Sequence, residues 1–390
     1  MNPQTTAADF VDQSIGRGLR DGVEIHRAAL AAGLSTRLYP RQVLEVYSSD
    51  ESLATAFTHG LPQASTLSGV TFTQDLRMGR GLLEKAGIRI PRGATFSVGY
   101  SRKSALRYGE KHGYPVVVKP ALGDSTIDVV RGIQNQDQLR GAIETLLTPP
   151  EQRPDSTQAS YGITELRKAG MKKGKVTVPP GYRFYVQEEV EGDYVRLLVL
   201  DGEIIDVLSC PGGPWARQAT PLDEDQWPQD ARALAAEVSR AIPGVAVLSV
   251  DVVVPAASSD ATDAAPVVVE VSERPWLEVQ HGVDPERAHR LAGELLRFGL
   301  GADELPEFSV PTISPEARFF GVVDTQQFTA ALGHVGSVWN VAVQPVDQDE
   351  TLGRVAARLE GDPGQIAEMI EVILDRGAQG QVAMRADLDQ

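Results

Sequence analysis

A mixed α/β (α+β) fold in several subdomains is predicted from three observations. Strand-like apolar runs and segments of helical period alternate through the chain. At 390 residues it exceeds what one ordinary core holds. Residues 306–390 read as a separate β-α-β-β-α-β unit, the split arrangement of ferredoxin-like domains.

Taken in order, residues 18–33 have apolar side chains near helical spacing, with Gly33 placed to stop the helix. A short strand follows at 43–47, and a helix at 76–86 ends at Gly87. Residues 101–112 form the next helix, closed by Gly113, Tyr114 and Pro115. A β-branched strand then runs into Pro120, with a strand at 126–131 and a helix at 136–147. Residues 148–182 are rich in Pro, Gly, Ser and Lys and read as a long insertion or flap. Strands are expected at 183–190, 194–200 and 203–208, the last two joined by the hairpin signal Asp201-Gly202. A helix at 230–241 leads to two β-rich runs, VAVLSVDVVVP and APVVVEV, with a polar turn between them, and a helix covers 285–299. The tail reads as strand 318–323, helix 325–332, strands 338–346 and 351–359, helix 363–376 and strand 381–385. The expected domains are therefore an N-terminal α/β region at 1–72, a lid at 73–190, a catalytic part at 191–305 and the tail at 306–390. The tail is open to three roles: dimerising the chain, binding a small regulator, or closing over an acceptor site.

Composition bounds the partners. Hydrophobic residues make up 42% and charged residues 23%, a globular composition. A net charge of −16 argues against nucleic acid as the main partner, since phosphate binding needs a basic face. No run approaches the length of a membrane span, and the first residues carry no secretory pattern. The single cysteine, Cys210, fits a reducing cytoplasm. All eight lysines fall between Lys85 and Lys175, so the lysine-rich insertion is either a solvated loop or a flap that meets phosphates.

Four features carry chemistry. Lys119 closes an apolar strand, where its charge is costly unless an anion meets it; the plainer reading is a solvated strand end. In VQEEVEGDY (186–194), backbone groups and a carboxylate are arranged as for an adenosine, or form an acidic strand edge. Asp251 and Glu270 are carboxylates inside apolar strands, and each needs a cation: magnesium, or an arginine partner. Arg274, four residues beyond Glu270, is the expected anchor for a substrate carboxylate or phosphate, with a salt bridge to a nearby glutamate as the alternative. Trp276 and His281 are expected in the acceptor pocket or the core. Cys210 has no histidine beside it in sequence to serve as a base for nucleophilic chemistry.

The ordered series AGIRIP, GYPVVVKP, VQEEVEGDYVRLLVLDGEI, SVDVVV and VVVEVSERP resembles the ATP-grasp superfamily of carboxylate–amine ligases. It is most similar to the module shared by cyanophycin synthetase and the ligase half of bifunctional glutathione synthetases, over about residues 22–300. The resemblance implies an ADP-forming ligase that uses ATP and two Mg2+ ions, with Mn2+ able to replace them, and joins amino acids or short peptides. It implies that Lys119 contacts the ATP phosphates and that Gln187, Glu188 and Val190 form the adenine hinge, mostly through backbone groups. Asp193 would hold the ribose, although the usual glutamate falls one position later, at Tyr194. Arg196 would neutralise phosphate charge, and Asp251 and Glu270 would bind the metal ions. Departures from the pattern are Ser272 where the family has a metal-binding asparagine, and Leu76 where a lysine contacts ATP, with Arg80 as its substitute. The glycine-rich loop is reduced to Ala121–Thr126, and Ser209–Gly213 replaces an arginine that follows the hairpin.

Overall fold

The computed structural model describes residues 18–50, 52–123, 129–146, 170–172, 175–177, 183–214, 218–255, 265–305 and 311–390. The chain divides into two compact units, residues 1–63 with 276–390, and residues 64–275. Most of the lysine-rich insertion and the polar turn at 256–264 lie outside the described residues.

The first unit opens with α1 (Arg20–Ala31), β1 (Ser35–Tyr39), β2 (Val43–Tyr47), β3 (Ala54–Thr58) and β4 (Leu61–Pro62). The second comprises α2 (Leu67–Gln74), α3 (Leu76–Lys85), β5 (Gly93–Ser97), α4 (Arg102–His112), β6 (Val116–Pro120), β7 (Val130–Ile133) and α5 (Gln136–Thr145). It continues through β8 (Gly170–Lys172), β9 (Lys175–Thr177), β10 (Arg183–Glu188), β11 (Gly192–Leu200), β12 (Glu203–Ser209), β13 (Thr220–Pro221), α6 (Ala231–Ala241), β14 (Val247–Pro255) and β15 (Val267–Ser272). The chain then re-enters the first unit with α7 (Leu277–Val283), α8 (Pro285–Leu300), β16 (Glu316–Phe320), α9 (Thr325–Val338), β17 (Ala342–Asp349), β18 (Arg354–Glu360), α10 (Pro363–Arg376) and β19 (Arg385–Asp389). The class is mixed α/β with antiparallel sheets.

In the first unit the tail keeps the expected β-α-β-β-α-β order, and its strands lie as β17-β18-β16-β19. The boundary drawn at 306 does not isolate them. β19 pairs with β1 (Thr36↔Leu388), and the sheet continues through β2, β3 and β4 to eight strands. Helices α7 and α8, placed by the sequence with the catalytic part, belong here as well. β1 has one fully apolar side chain, Leu38, beside Ser35, Thr36 and Arg37, so its strand character comes from its neighbours on both sides. All four tail strands shift from their expected bounds, β16 running from Glu316 to Phe320 instead of 318–323, and α9 is longer than expected. α9 runs on to Val338, which delays β17; Asp349 accepts from the backbone of Thr351 and Leu352, holding a turn that delays β18; and a turn bridging Ala378 and Gln381 delays β19.

The second unit contains a four-stranded sheet, β5-β10-β6-β7, and a five-stranded sheet, β13-β12-β11-β14-β15. Each shows one apolar face. In the first, Val116, Val118, Phe184 and Val186 pack with Leu139 and Ile143 of α5 and Ala105 of α4. In the second, Val195, Leu197, Val199, Val250 and Val252 pack with Ala235 and Val238 of α6 and Leu83 of α3. Side chains alternate along a strand, so the residues between these apolar positions occupy the opposite faces. That parity places the polar side chains of interest.

Candidate active site

On the five-stranded sheet, antiparallel register sets Arg196 opposite Asp251 and Asp251 opposite Glu270. Three neighbouring strands thus present one transverse row, basic then acidic then acidic, on the face away from α6. Arg196 and Asp251 are fully buried and Glu270 nearly so. The row is neutralised from within the unit. Arg196 grips Asp251 with a two-pronged bond, Nε to Oδ1 at 2.7 Å and Nη2 to Oδ2 at 2.9 Å. Tyr194, two residues before Arg196 and on the same face, donates its hydroxyl to Asp251 Oδ2 at 2.8 Å. Arg131 stacks over the Tyr194 ring and donates to its oxygen at 3.3 Å. Burial, reinforced by the Asp251 charge, holds the Tyr194 phenol neutral, with its pKa well above the ordinary value.

Lys119 crosses from the four-stranded sheet. Register places it beside Tyr185, on the face opposite the apolar cluster. Its ammonium donates to the Val269 carbonyl at 3.0 Å and to Glu270 Oε1 at 2.5 Å. Burial outweighs the attraction of Glu270 and lowers the Lys119 pKa from 10.5 to about 8, with Arg80 and Arg131 adding repulsion. Arg80 lies over the Tyr185 ring and donates to Gln187 Oε1 and to the Pro91 carbonyl. It also lines, with Glu270, Thr73 and Leu76, a cavity of about 20 Å³, room for a water.

The structure therefore gathers Arg80, Lys119, Gln187, Arg196, Asp251 and Glu270 in one region of the second unit. Arg274 is fully buried just past β15, where its amide donates to Ser272 Oγ at 3.2 Å and its carbonyl accepts from Ser249. Glu273 is buried and accepts from Gln74 at 3.0 Å. Asp193 is exposed and, by strand alternation, faces away from Tyr194 and Arg196; the position turned to the row is Tyr194. Glu188 faces away from Gln187 and accepts from the backbone and guanidinium of Arg92 at the surface, both at 2.9 Å. Val190 follows β10, partly buried. Trp276 and His281 fall in the first unit, His281 against Glu24. Cys210 is buried, and burial raises its thiol to about 12, which suits a core residue and not a nucleophile. Of the reduced glycine loop, Gly123 donates to the Gln74 carbonyl, while residues 124–126 lie outside the described residues.

Sequence reasoning did not assign Tyr194 and Arg131 to this site. Tyr194 was within reach of a period-2 argument, being two residues before Arg196; Arg131 was not, because its contact depends on how two sheets meet.

Fit to a divalent ion differs between the two carboxylates. Glu270 Oε2 is buried and has no hydrogen-bond partner among the described residues, which suits a metal ligand. Asp251 has both oxygens engaged by Arg196 and Tyr194, so an ion would share it with them. Cations exceed carboxylates here: Lys119, Arg131 and Arg196 surround Asp251 and Glu270, with Arg80 adjoining. Such an excess favours an anion carrying several charges.

No protein-family model and no curated protein matches the chain. Among solved structures it is similar to a D-alanine–D-alanine ligase from Bacillus anthracis complexed with ATP, at 15% identity and a TM-score of 0.38, over 59% of this chain and 69% of that one. It is similar to the ATP-grasp ligase PsnB complexed with a precursor peptide and AMPPNP, at 16% identity and a TM-score of 0.37, over 59% of each chain. A bifunctional glutathione synthetase from Pasteurella multocida is similar at 16% identity and a TM-score of 0.36, over 67% of this chain and 40% of that one. The functional reading rests on the side chains of the chain itself and not on this likeness.

Proposed function

We propose that the chain is an ATP-dependent carboxylate–amine ligase that joins amino acids or short peptides through an acyl phosphate. The observation that carries this reading is the buried row Arg196–Asp251–Glu270 met by Lys119 from a second sheet. A surplus of buried positive charge beside an unsatisfied carboxylate oxygen is what a triphosphate with its counter-ion requires. The ordered motifs of the sequence support it independently.

A carboxylate resists attack because oxide cannot leave. Moving the γ-phosphoryl group of ATP onto a carboxylate oxygen makes phosphate the leaving group and releases ADP. The amine then adds to the acyl carbon, the tetrahedral oxyanion collapses, and phosphate departs with formation of the amide. Lys119 and Arg196 supply positive charge where phosphate charge shifts, Arg80 and Gln187 shape the nucleotide end, and Arg274 holds the acceptor or donor carboxylate. Glu270, with Asp251 and Ser272 beside it, would hold magnesium, which neutralises β- and γ-phosphate oxygens.

Phosphate release screened across amino-acid pairs, with mass spectrometry of the products, tests this. Amine-dependent release and a product lighter than its two substrates by one water are expected. ATP binding with no release in any pair would reject the ligase. The second reading is a nucleotide-binding regulator without turnover, favoured by one observation, that Arg196 and Tyr194 already occupy Asp251. ADP release in the same screen separates the two.

The lowered Lys119 pKa gives a pH signature. Free protein carries the ammonium only below about 8, so kcat/KM for ATP is expected to fall as pH rises through that value. Stability moves the other way. Between about 8 and 10.5 the unfolded chain binds the proton that the folded chain has lost, so unfolding free energy from this group rises across that window. Initial rates and urea midpoints between pH 7 and 10 measure both. A kcat/KM that stays flat to pH 9.5 would remove Lys119 from phosphate binding.

A further inference from the structure

Helix α1 is buried on nearly every side, so its polar residues need partners. Asp21 accepts from the Leu277 amide at 2.7 Å, and His26 pairs with Thr36 at 3.0 Å. Glu24, 1% exposed, is less completely satisfied. Its Oε1 lies 3.0 Å from His281 Nδ1. Its Oε2 lies 3.5 Å from His289 Nε2 and forms no hydrogen bond among the described residues. Arg20 stands 3.6 Å from Oε1, but its nearer partner is Glu368 at 2.7 Å. The imidazoles are brought together by the turn between α7 and α8, where Asp284 ends one helix and caps the next by accepting from the Glu286 amide.

We infer that Glu24, His281 and His289 form a binding site for a divalent transition-metal ion, zinc by its ligand chemistry, within the first unit. Two imidazole nitrogens and one carboxylate are a ligand set that zinc takes, with a fourth position left to water. Donors about 2.0–2.1 Å from a tetrahedral ion stand roughly 3.3 Å apart. Each imidazole faces its own oxygen of the Glu24 carboxylate, at 3.0 and 3.5 Å, and one ligand atom from each of the three residues lies within 4.8 Å of the others. The far nitrogen of His289, Nδ1, faces Glu286 Oε1 at 3.3 Å, the kind of carboxylate that orients a metal-bound imidazole. Burial and the Arg27 charge lower the His289 pKa against the pull of Glu24 and Glu286, which favours the neutral, ligating ring. His281 is 30% exposed, so an ion reaches the cluster from solvent. Bound there, it ties α1 to α7 and α8. None of this depends on the ligase reading.

The test uses full-length protein without a histidine tag, stripped with EDTA and titrated with Zn2+ against a chromophoric chelator in the absence of ATP. One ion per chain is expected, with a rise in melting temperature on addition. Glu24→Gln and His289→Ala are each expected to weaken binding by more than about 100-fold. Co2+ added to the unmodified chain is expected to show the visible bands of a four-coordinate site without a thiolate charge-transfer band, since none of the three ligands is a cysteine. Absence of those bands overturns the proposal even where a variant fails to fold. Equal Zn2+ affinity in Glu24→Gln, His289→Ala and the parent also overturns it, leaving a hydrogen-bonded Glu–His cluster.

Discussion

Replacing Arg196 with methionine is expected to cost the fold about 3–5 kcal/mol, because it strands the Asp251 carboxylate in a dry interior. Both groups are fully buried and joined by two bonds, so neither has water to fall back on. Combining Arg196→Met with Asp251→Leu is expected to restore most of the loss, since two apolar side chains of similar volume replace a pair whose desolvation was itself costly. Recovery should stop about 1 kcal/mol short, as the Tyr194 hydroxyl loses its acceptor. Urea denaturation of the parent, both single variants and the double variant gives the coupling energy directly. A double variant no more stable than Arg196→Met would show that the row is held by something other than this pair. The double variant should remain without nucleotide-dependent turnover, which separates folding from function.

Glu270→Gln is expected to lower ADP release roughly 10²–10³-fold, the scale of removing one group that stabilises developing charge in a buried site. The amide oxygen still accepts from Lys119, but the buried ion pair is lost, so the melting temperature is expected to fall as well, and ADP release is measured below it. Magnesium dependence should move to higher concentration, because Oε2, the buried oxygen with no hydrogen-bond partner among the described residues, would no longer be anionic. ADP release within about tenfold of the parent would remove Glu270 from the reaction. The pair of experiments is complementary: one variant removes a charged group and its two hydrogen bonds, and the other keeps the side chain's shape and removes one charge.

How far the chain could be read in advance follows the range of the forces involved. α10 (Pro363–Arg376) was legible to the residue, because Asp362 caps it, Pro363 opens it and Gly377 ends it, all within local reach. β6 and β14 were legible from their β-branched runs. Lys119, Asp251 and Glu270 were legible as candidates because a charge in an apolar strand is a local anomaly with a known cost. Asp193 was named for its carboxylate although the family spacing falls one position later, and strand alternation turns Tyr194, not Asp193, toward the row.

By itself the sequence determined the β-branched strands β6, β14 and β15, the capped helices such as α8 and α10, and the presence of carboxylates that demand a cation. These depend on backbone period, capping and desolvation, which act over a few residues. Only the tertiary structure decided which cation answers which carboxylate, that Lys119 reaches Glu270 across 151 positions, and that β1 and β19 join the two ends of the chain in one sheet. It alone brought Glu24 to His281 and His289. Partners so far apart in sequence are chosen by the register of sheets and the packing of whole helix faces, where the free energy is summed over many side chains and no short segment carries the record of it.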